Sequence, residues 1–384
     1  MTVIPHPPAH LAKRLGAYYF AYFSYVGALA PYFSLWLAAQ GYGAAQIALV
    51  LAMPQIARVF APALWGWLAD KSGRQRQIVI FGAFSVLLGF AALYAVRGIA
   101  GVALMMLVLS VLAAGSMPLV EAATLAATEG QAGRYGPIRL WGSIGFILAV
   151  LGTGAWLDHH GAETVLDIVV LLAAVVCVAA FGIPPRARPP GAGSVERMGA
   201  VLGRSDVLAF FGACMCMSAA HGALYAFYSI YLEAAGYSKA MIGVLWTLGV
   251  VAEVVVFLRL PQLMRRFSLR TLLIASFACA ALRFAAIGWA VDWLAVLVVA
   301  QLLHAATFGA FHAASIAAVH RLFPGGIAAR GQALYSSLTY GVGAAAGTLI
   351  AGWTWVAVGP SSSFAASALF GALGAVLVAW RVRV

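Results

Sequence analysis

The chain has 384 residues, of which 64% are hydrophobic and only 9% are charged, and its mean hydropathy is +0.97. A soluble domain carries about 25% charged residues, so this composition excludes a water-soluble fold and indicates a protein embedded in a lipid bilayer. The formal net charge of +12 could suggest nucleic acid, which requires a solvated basic face. Here the basic residues lie mainly in short loops between apolar runs, so no nucleic acid is expected as a partner.

Apolar runs long enough for a transmembrane helix, about 20 residues, recur along the whole chain. The first run follows Lys13 and Arg14 and is too long for the core of a cleaved signal peptide, so we interpret it as an uncleaved first span. The predicted spans, numbered 1 to 12, are residues 15–39, 44–69, 77–96, 99–127, 138–157, 164–183, 207–232, 239–260, 271–290, 294–319, 331–357 and 362–380.

An internal repeat relates the two halves of the chain. A shift of 195 residues places LAAQGYGAAQI (37–47) on LEAAGYSKAMI (232–242), with six of eleven positions identical. The sequence therefore predicts an all-α integral membrane fold of twelve helices in two six-helix pseudo-repeats. The halves are residues 1–183 and 207–384, joined by a cytoplasmic central loop, 184–206. Such repeats are typical of transporters, which bind substrate near the midplane between them.

The distribution of basic residues predicts the orientation of the chain in the membrane. With both termini in the cytoplasm, 17 Lys and Arg residues fall in cytoplasmic loops and tails, whereas the outer loops hold only Arg97 and Lys239. Cytoplasmic loops carry the excess of Lys and Arg in multi-pass proteins. We therefore expect a multi-pass protein of a bacterial-type inner (plasma) membrane with both termini inside.

The loop after span 2 reads GWLADKSGRQR and resembles the cytoplasmic signature of the major facilitator superfamily. Gly66, Asp70, Gly73 and Arg74 match that motif, as do Leu68 and Lys71, whereas Gln75 departs from it. We expect Gly66 to permit close helix approach and Gly73 to permit a tight turn. Asp70 would accept hydrogen bonds from a nearby helix N-terminus.

Within that superfamily the chain is most similar to the lactose-permease-like branch, particularly the 3-phenylpropionate permease group. The segments that carry this resemblance are VEAATL, GPIRLWGSIGF, QLLHAATFGAFHAA and GQALYSSLTYGVG. This resemblance implies substrate roles for Glu121 and Arg139. It also matches Arg283 and His304 to the arginine of span 9 and the histidine of span 10 in the lactose permease. The lactose permease has a glutamate three residues after that histidine, but this chain has Thr307, so proton coupling does not carry over there.

Five charged residues are predicted to lie inside the membrane, where burying one charge costs roughly 2.5–3.5 kcal/mol. They are Arg58, Glu121, Arg139, Glu253 and Arg283, and the shift of 195 relates Arg58 to Glu253. In the superfamily fold Arg139 could pair with Glu121 or with Glu253, and protonation of Glu253 would release Arg139 or an incoming substrate. The alternative is a static ion network that orders the helices.

Three arginines against two carboxylates leave the predicted cavity with one excess positive charge, which favours an anion. Aromatic residues in spans 1 and 7 are spaced so that they fall on one face of each helix, and they would suit an aromatic or hydrophobic carboxylate. The alternative is ordinary helix packing, and the same alternative applies to His304. These cavity residues are Tyr18, Tyr22 and Tyr25 in span 1, and His221, Tyr225 and Tyr228 in span 7.

The sequence therefore predicts a proton-coupled importer of a small organic anion, with protons and a small molecule as partners. An efflux antiporter for drugs or metabolites, or a permease for a sugar or nucleoside, remains open. A membrane-embedded enzyme or a non-transporting receptor is disfavoured by the half repeat. No ATP-binding loop or HExxH metal motif occurs, so no cofactor, metal or enzymatic activity is expected, and the protein is expected to function as a monomer.

Overall fold

The structure is a computed structural model that describes residues 9–185 and 201–384. The described residues are almost entirely helical, and none of them forms a strand. Most of the predicted central loop, 184–206, lies outside the described residues.

The helices follow the twelve predicted spans, which confirms the predicted fold class. Ten of the described helices are long and apolar enough to cross a membrane. The two other long helical segments, spans 1 and 11, are richer in tyrosine, glycine and hydroxyl residues. In order, spans 1 to 12 are Ala9–Ala39; Ala44–Arg58 with Ala61–Ser72; Gln75–Ala92; Ile99–Ala113 with Ser116–Ala127; Ala132–His160; Val165–Ala180; Ser205–Ala220 with Gly222–Ala234; Lys239–Arg266; Leu269–Trp289; Leu294–Leu302 with Ala305–Ala310 and Phe311–Leu322; Ala328–Ser336 with Ser337–Gly343 and Ala344–Ala357; and Pro360–Arg381.

Several spans are interrupted where the hydropathy pattern predicted continuous helices. Span 2 breaks after Arg58, and span 7 breaks at His221. Spans 10 and 11 each contain a π-helical turn, at Ala305–Ala310 and Ser337–Gly343. Such turns occur frequently at functional sites because they redirect side chains within a helix.

The predicted repeat is visible in the backbone of its two corner turns. Gly41 and Gly236, which the shift of 195 relates, both adopt left-handed conformations, with φ of +83° and +88°. The residues two positions later, Gly43 and Ser238, both cap the following helix with extended backbones. The two halves therefore use the same turn to enter spans 2 and 8.

The contacts divide the chain into two compact units. The first unit comprises Met1–Gln40 and Phe60–Gly191, and the second comprises Gly41–Val59 and Ala192–Val384. In the first unit, span 1 packs on spans 5 and 6, and span 3 packs on spans 4 and 6. In the second unit, span 12 packs on spans 7, 9 and 11, span 8 packs on span 10, and the helix Ala44–Arg58 packs on span 11.

Glycines allow some of these helices to touch backbone to backbone. In the first unit, a Cβ at Gly27 of span 1 would lie 2.6 Å from the carbonyl oxygen of Phe146 in span 5. In the second unit, a Cβ at Gly347 of span 11 would overlap the backbone of Ala219, and one at Gly222 would overlap that of Gly347. Spans 7 and 11 therefore approach closely at these glycines.

Candidate functional site

Glu121 and Arg139, the two charges predicted in spans 4 and 5, form an ion pair in the first unit. Arg139 Nε lies 3.5 Å from Glu121 Oε1, and both side chains are about one-third exposed. The hydroxyl of Tyr135 donates to the second oxygen, Glu121 Oε2, at 2.5 Å. Each carboxylate oxygen therefore has its own partner, and Arg139 holds only one of them.

Two aromatic rings of span 1 support the Arg139 guanidinium. It lies 4.2 Å from the centroid of the Phe23 ring and 5.4 Å from that of Tyr19. A Cβ at Gly142 would lie 2.7 Å from Arg139 Nη1 and 2.8 Å from Phe23, so glycine leaves the room this arrangement needs. The result is a cation held against aromatic faces, a favourable electrostatic arrangement.

The predicted tyrosine face of span 1 exists but lies beside this cluster. Tyr22 stacks on Tyr18 with ring centroids 6.1 Å apart and contacts Tyr25 at 6.2 Å. Tyr18 and Tyr25 are buried, and Tyr25 packs edge-on against Phe90 of span 3. Tyr18 and Tyr25 therefore serve packing in this structure and offer no surface to a ligand.

Arg283 of span 9 is completely buried in the second unit. Its Nη1 donates to His304 Nδ1 and to Thr307 Oγ1, each at 3.1 Å, and its Nη2 donates to Gln301 Oε1 at 3.1 Å. Among the described residues, no carboxylate oxygen lies within 4.0 Å of this guanidinium. Neutral acceptors thus replace water around a buried cation, an arrangement that carries a desolvation cost.

His304 connects Arg283 to Glu253. Because arginine can only donate, His304 Nδ1 must accept, and the neutral ring carries its proton on Nε2. Nε2 faces Glu253 Oε2 at 3.8 Å, and the Glu253 side chain is 18% exposed. A Cβ at Gly309, within the π-helical turn, would lie 3.2 Å from Glu253 Cγ. The turn therefore places glycine where span 10 approaches the carboxylate.

The three predicted side chains of span 7 lie on one face, although the helix breaks at His221. His221 Nδ1 donates to the Met217 carbonyl at 2.8 Å, which leaves Nε2 facing Thr307 Oγ1 at 3.4 Å. The Tyr225 ring stacks on His221, at 6.0 Å, and on Trp246 of span 8, at 5.9 Å, measured between ring centroids. Tyr228 is buried against the edge of Trp246.

Arg58 lies where the two helices of span 2 meet. It is exposed at the end of Ala44–Arg58, whereas its repeat partner Glu253 lies within the unbroken helix Lys239–Arg266. The difference arises because span 2 breaks at Val59 and Phe60.

The loop motif after span 2 lies at the exposed end of the helix Ala61–Ser72. Gly73 has φ of +65° and ends the helix Ala61–Ser72, with its N–H donating to the Ala69 carbonyl at 2.9 Å. Gly66 does not mark a close helix approach, because a Cβ there would meet no described atom within 4 Å. Asp70 is exposed and accepts no hydrogen bond from the described residues, and Arg74 is exposed at the start of span 3.

Sequence reasoning missed several residues of these clusters, namely Tyr19, Phe23, Tyr135, Trp246 and Gln301. Tyr135 precedes Arg139 by one helical turn, and Tyr19 and Phe23 have the same spacing, so that signal was available. Gln301 gave a weaker signal, as a single amide within an apolar run.

Comparisons with known proteins agree with the fold. A family model described as "MFS_1 like family" matches residues 12–366. A probable 3-phenylpropionic acid transporter of Escherichia coli (strain K12) is 32% identical over 348 residues, covering 89% of this chain and 90% of that protein. A maltose permease of Geobacillus stearothermophilus is 27% identical over 343 residues, covering 88% and 86%.

Solved transporter structures share the fold. The nucleoside transporter NupG matches with a TM-score of 0.78 at 19% identity, covering 96% of this chain and 97% of that one. The POT family transporter PepTSo matches with a TM-score of 0.72 at 14% identity, covering 96% of each chain.

The family model and the curated relatives thus identify a transporter of small molecules, and the expectation that the chain is not an enzyme is confirmed by these relatives. The chain belongs to the MFS_1 like family and is a major facilitator superfamily transporter similar to the phenylpropionate permease group.

Proposed function

We propose that this transporter imports a small organic anion, an aromatic or hydrophobic carboxylate, together with protons by alternating access. The observation that carries this proposal is Arg283, a fully buried cation with only neutral hydrogen-bond partners in the described residues. A buried charge is costly unless an opposite charge compensates it. An anionic substrate would supply that charge during part of the transport cycle.

The charge balance within each unit supports an anion over a sugar or a nucleoside. In the first unit, Arg139 and Glu121 neutralise each other. In the second unit, the membrane region holds two arginines, Arg58 and Arg283, and a single carboxylate, Glu253. One excess positive charge attracts a monovalent anion and gives a neutral substrate no advantage.

The link through His304 supports coupling to protons. A bound monovalent anion would lower the charge of this region by one, and a proton on Glu253 would restore it. The His304 ring joins the two groups, because it accepts from Arg283 and presents its Nε2–H to Glu253. Glu253 is partly exposed, so it can exchange protons with water while Arg283 stays buried.

Aromatic rings near the charges support the chemical class of the acid. Phe23 and Tyr19 lie against Arg139, and Phe284 packs against His221 beside Arg283. The 32% identical relative bears the name of a 3-phenylpropionic acid transporter, which favours an aryl-substituted carboxylate.

Transport by purified protein in liposomes with an inward proton gradient tests the proposal. The wild type should accumulate labelled 3-phenylpropionate, whereas Glu253→Gln should only exchange it across the membrane. Glu233→Gln is the matched control, because Glu233 pairs with Lys239 at the end of span 7. Normal accumulation by Glu253→Gln would contradict the assigned proton carrier.

A second comparison tests the anion. Arg283→Gln should abolish transport, whereas Arg259→Gln, at an exposed position of span 8, should leave it near the wild-type rate. Transport of maltose or a nucleoside in place of every acid would overturn the proposal. Extrusion of the acid by the same gradient would establish an antiporter instead.

A further inference from the structure

Tyr225 differs in exposure from every residue around it on span 7. Its side chain is 39% exposed, whereas the ten other residues of 219–229 are all buried. Of the six aromatic side chains that the sequence placed in a cavity, four are buried, namely Tyr18, Tyr25, His221 and Tyr228. Tyr225 therefore presents a ring surface that these four do not.

The exposed part of Tyr225 lies on the side of span 7 that carries the buried charge of the second unit. Its ring stacks on His221, whose Nε2 faces Thr307 Oγ1, and that hydroxyl accepts a hydrogen bond from Arg283. Charged side chains within a membrane face the protein interior or a water-filled cavity. The Tyr225 ring, which is linked to Arg283 through His221 and Thr307, therefore lies on that side of the helix.

Two fixed neighbours hold the Tyr225 ring in place. His221 is fixed by its hydrogen bond to the Met217 carbonyl. Trp246 is fixed because its Nε1 donates to Ser229 Oγ at 3.2 Å. The plane of the Tyr225 ring is 29° from parallel to each of these two rings. The Tyr225 surface is therefore ordered before a ligand arrives, which reduces the entropy lost on binding.

We propose that Tyr225 determines the preference of this transporter for aromatic acids. The ring of the acid would pack on the exposed part of the Tyr225 ring, while its carboxylate is attracted by Arg283. This inference rests on the proposed function and adds to it the residue that recognises the apolar part of the substrate. Arylalkanoic acids should be preferred over aliphatic acids of similar size.

Kinetics with paired substrates test the inference. Tyr225→Leu keeps an apolar side chain but removes the aromatic face, so KM for 3-phenylpropionate should rise by roughly 3- to 10-fold. KM for hexanoate should change by less than about twofold, because an aliphatic chain packs equally well on leucine. Tyr225→Phe should retain the wild-type preference. Tyr94→Leu is the matched control, since Tyr94 is exposed in the other unit.

A comparison of acids on the wild type tests the inference even if Tyr225→Leu fails to fold. 3-Cyclohexylpropionate has the same chain as 3-phenylpropionate but no aromatic face, so it should show the higher KM. Equal KM values for these two acids would overturn the role of Tyr225 but not the proposed function. Equal changes in KM for 3-phenylpropionate and hexanoate in Tyr225→Leu would have the same consequence. A wild type that moves none of the acids would overturn the proposed function, and this inference with it.

Discussion

His304 shows how one neighbour can fix the protonation pattern of a side chain. The Arg283 guanidinium offers only N–H groups, so Nδ1 of His304 must accept and Nε2 must carry the proton. A doubly protonated ring would point a second N–H at a cation. Histidine at this position is therefore held neutral as long as Arg283 remains where it is.

Two substitutions separate the roles of the ring nitrogens. His304→Asn places an amide oxygen near the position of Nδ1 and can keep the hydrogen bond from Arg283. His304→Gln places its amide group near the position of Nε2, so the Arg283 N–H that bonds to Nδ1 loses this acceptor. Because hydrogen bonds to charged groups contribute about 1.5–3 kcal/mol, the Gln variant should unfold more readily than the Asn variant.

Thermal unfolding in detergent measures this difference between the two variants. Equal unfolding temperatures would mean that the bond from Arg283 to Nδ1 does not hold the ring. His312→Gln is the control, because His312 bonds to Tyr340 and not to Arg283.

At the scale of single residues, the sequence predicted which charged residues lie in the membrane better than it predicted their hydrogen-bond partners. Glu121 and Arg139 stand out because charges are rare in apolar runs, and the structure pairs them. The neutral acceptors of Arg283 could not be predicted, since Gln301 and Thr307 come from another helix and depend on its rotation. The exposure of Tyr225 likewise depends on packing around it, not on its spacing from His221 and Tyr228.

At the scale of helices, spans 7 and 11 pack backbone to backbone because glycines stand at their contact. Gly222 and Gly347 oppose each other, and a Cβ on either would meet backbone rather than a flexible side chain. Backbone cannot give way without moving the whole helix. The break in span 7 at His221 lies directly beside this contact, so helix position and site geometry are linked.

Gly347→Ala tests that contact. Inserting one methyl group into a packed interface typically costs 1–3 kcal/mol, so we expect a clearly lower unfolding temperature and slower transport, about a tenfold loss or more. Gly66→Ala is the matched control, because a Cβ there meets open space. Equal effects of the two substitutions would contradict the close approach of spans 7 and 11.

The hydropathy pattern predicted where helices occur but not where they break. Apolar runs of span length report membrane burial, and all twelve correspond to helical segments. The break after Arg58 and the π-helical turns of spans 10 and 11 depend on contacts with neighbouring helices. Ser337, in the second of these turns, donates to the Val59 carbonyl at the break in span 2. No local sequence signal encodes such a long-range bond.

At the scale of the whole molecule, orientation follows from the loops. The basic residues concentrate on one side of the predicted membrane, and Arg97 and Lys239 lie on the other. Moving the many basic loops across the bilayer would be far more costly than moving these two. Both termini are accordingly expected in the cytoplasm.

Single cysteines in a background without the four native ones test this orientation. Ser72→Cys should react with a membrane-impermeant thiol reagent only after the cells are opened, whereas Arg97→Cys should react in intact cells. Both residues are exposed at helix ends, so accessibility is matched. The reverse labelling pattern would contradict the predicted orientation.

The two glycine corners account for one of the identities between the two copies of the repeat. At Gly41 and Gly236 the backbone is left-handed, so a residue with a Cβ would cost about 1 kcal/mol or more at either corner. Two positions later the backbone is extended, which most residues adopt, and there the copies differ, with Gly43 in one and Ser238 in the other. At the corner the backbone conformation therefore restricts the choice of residue, whereas two positions later it does not.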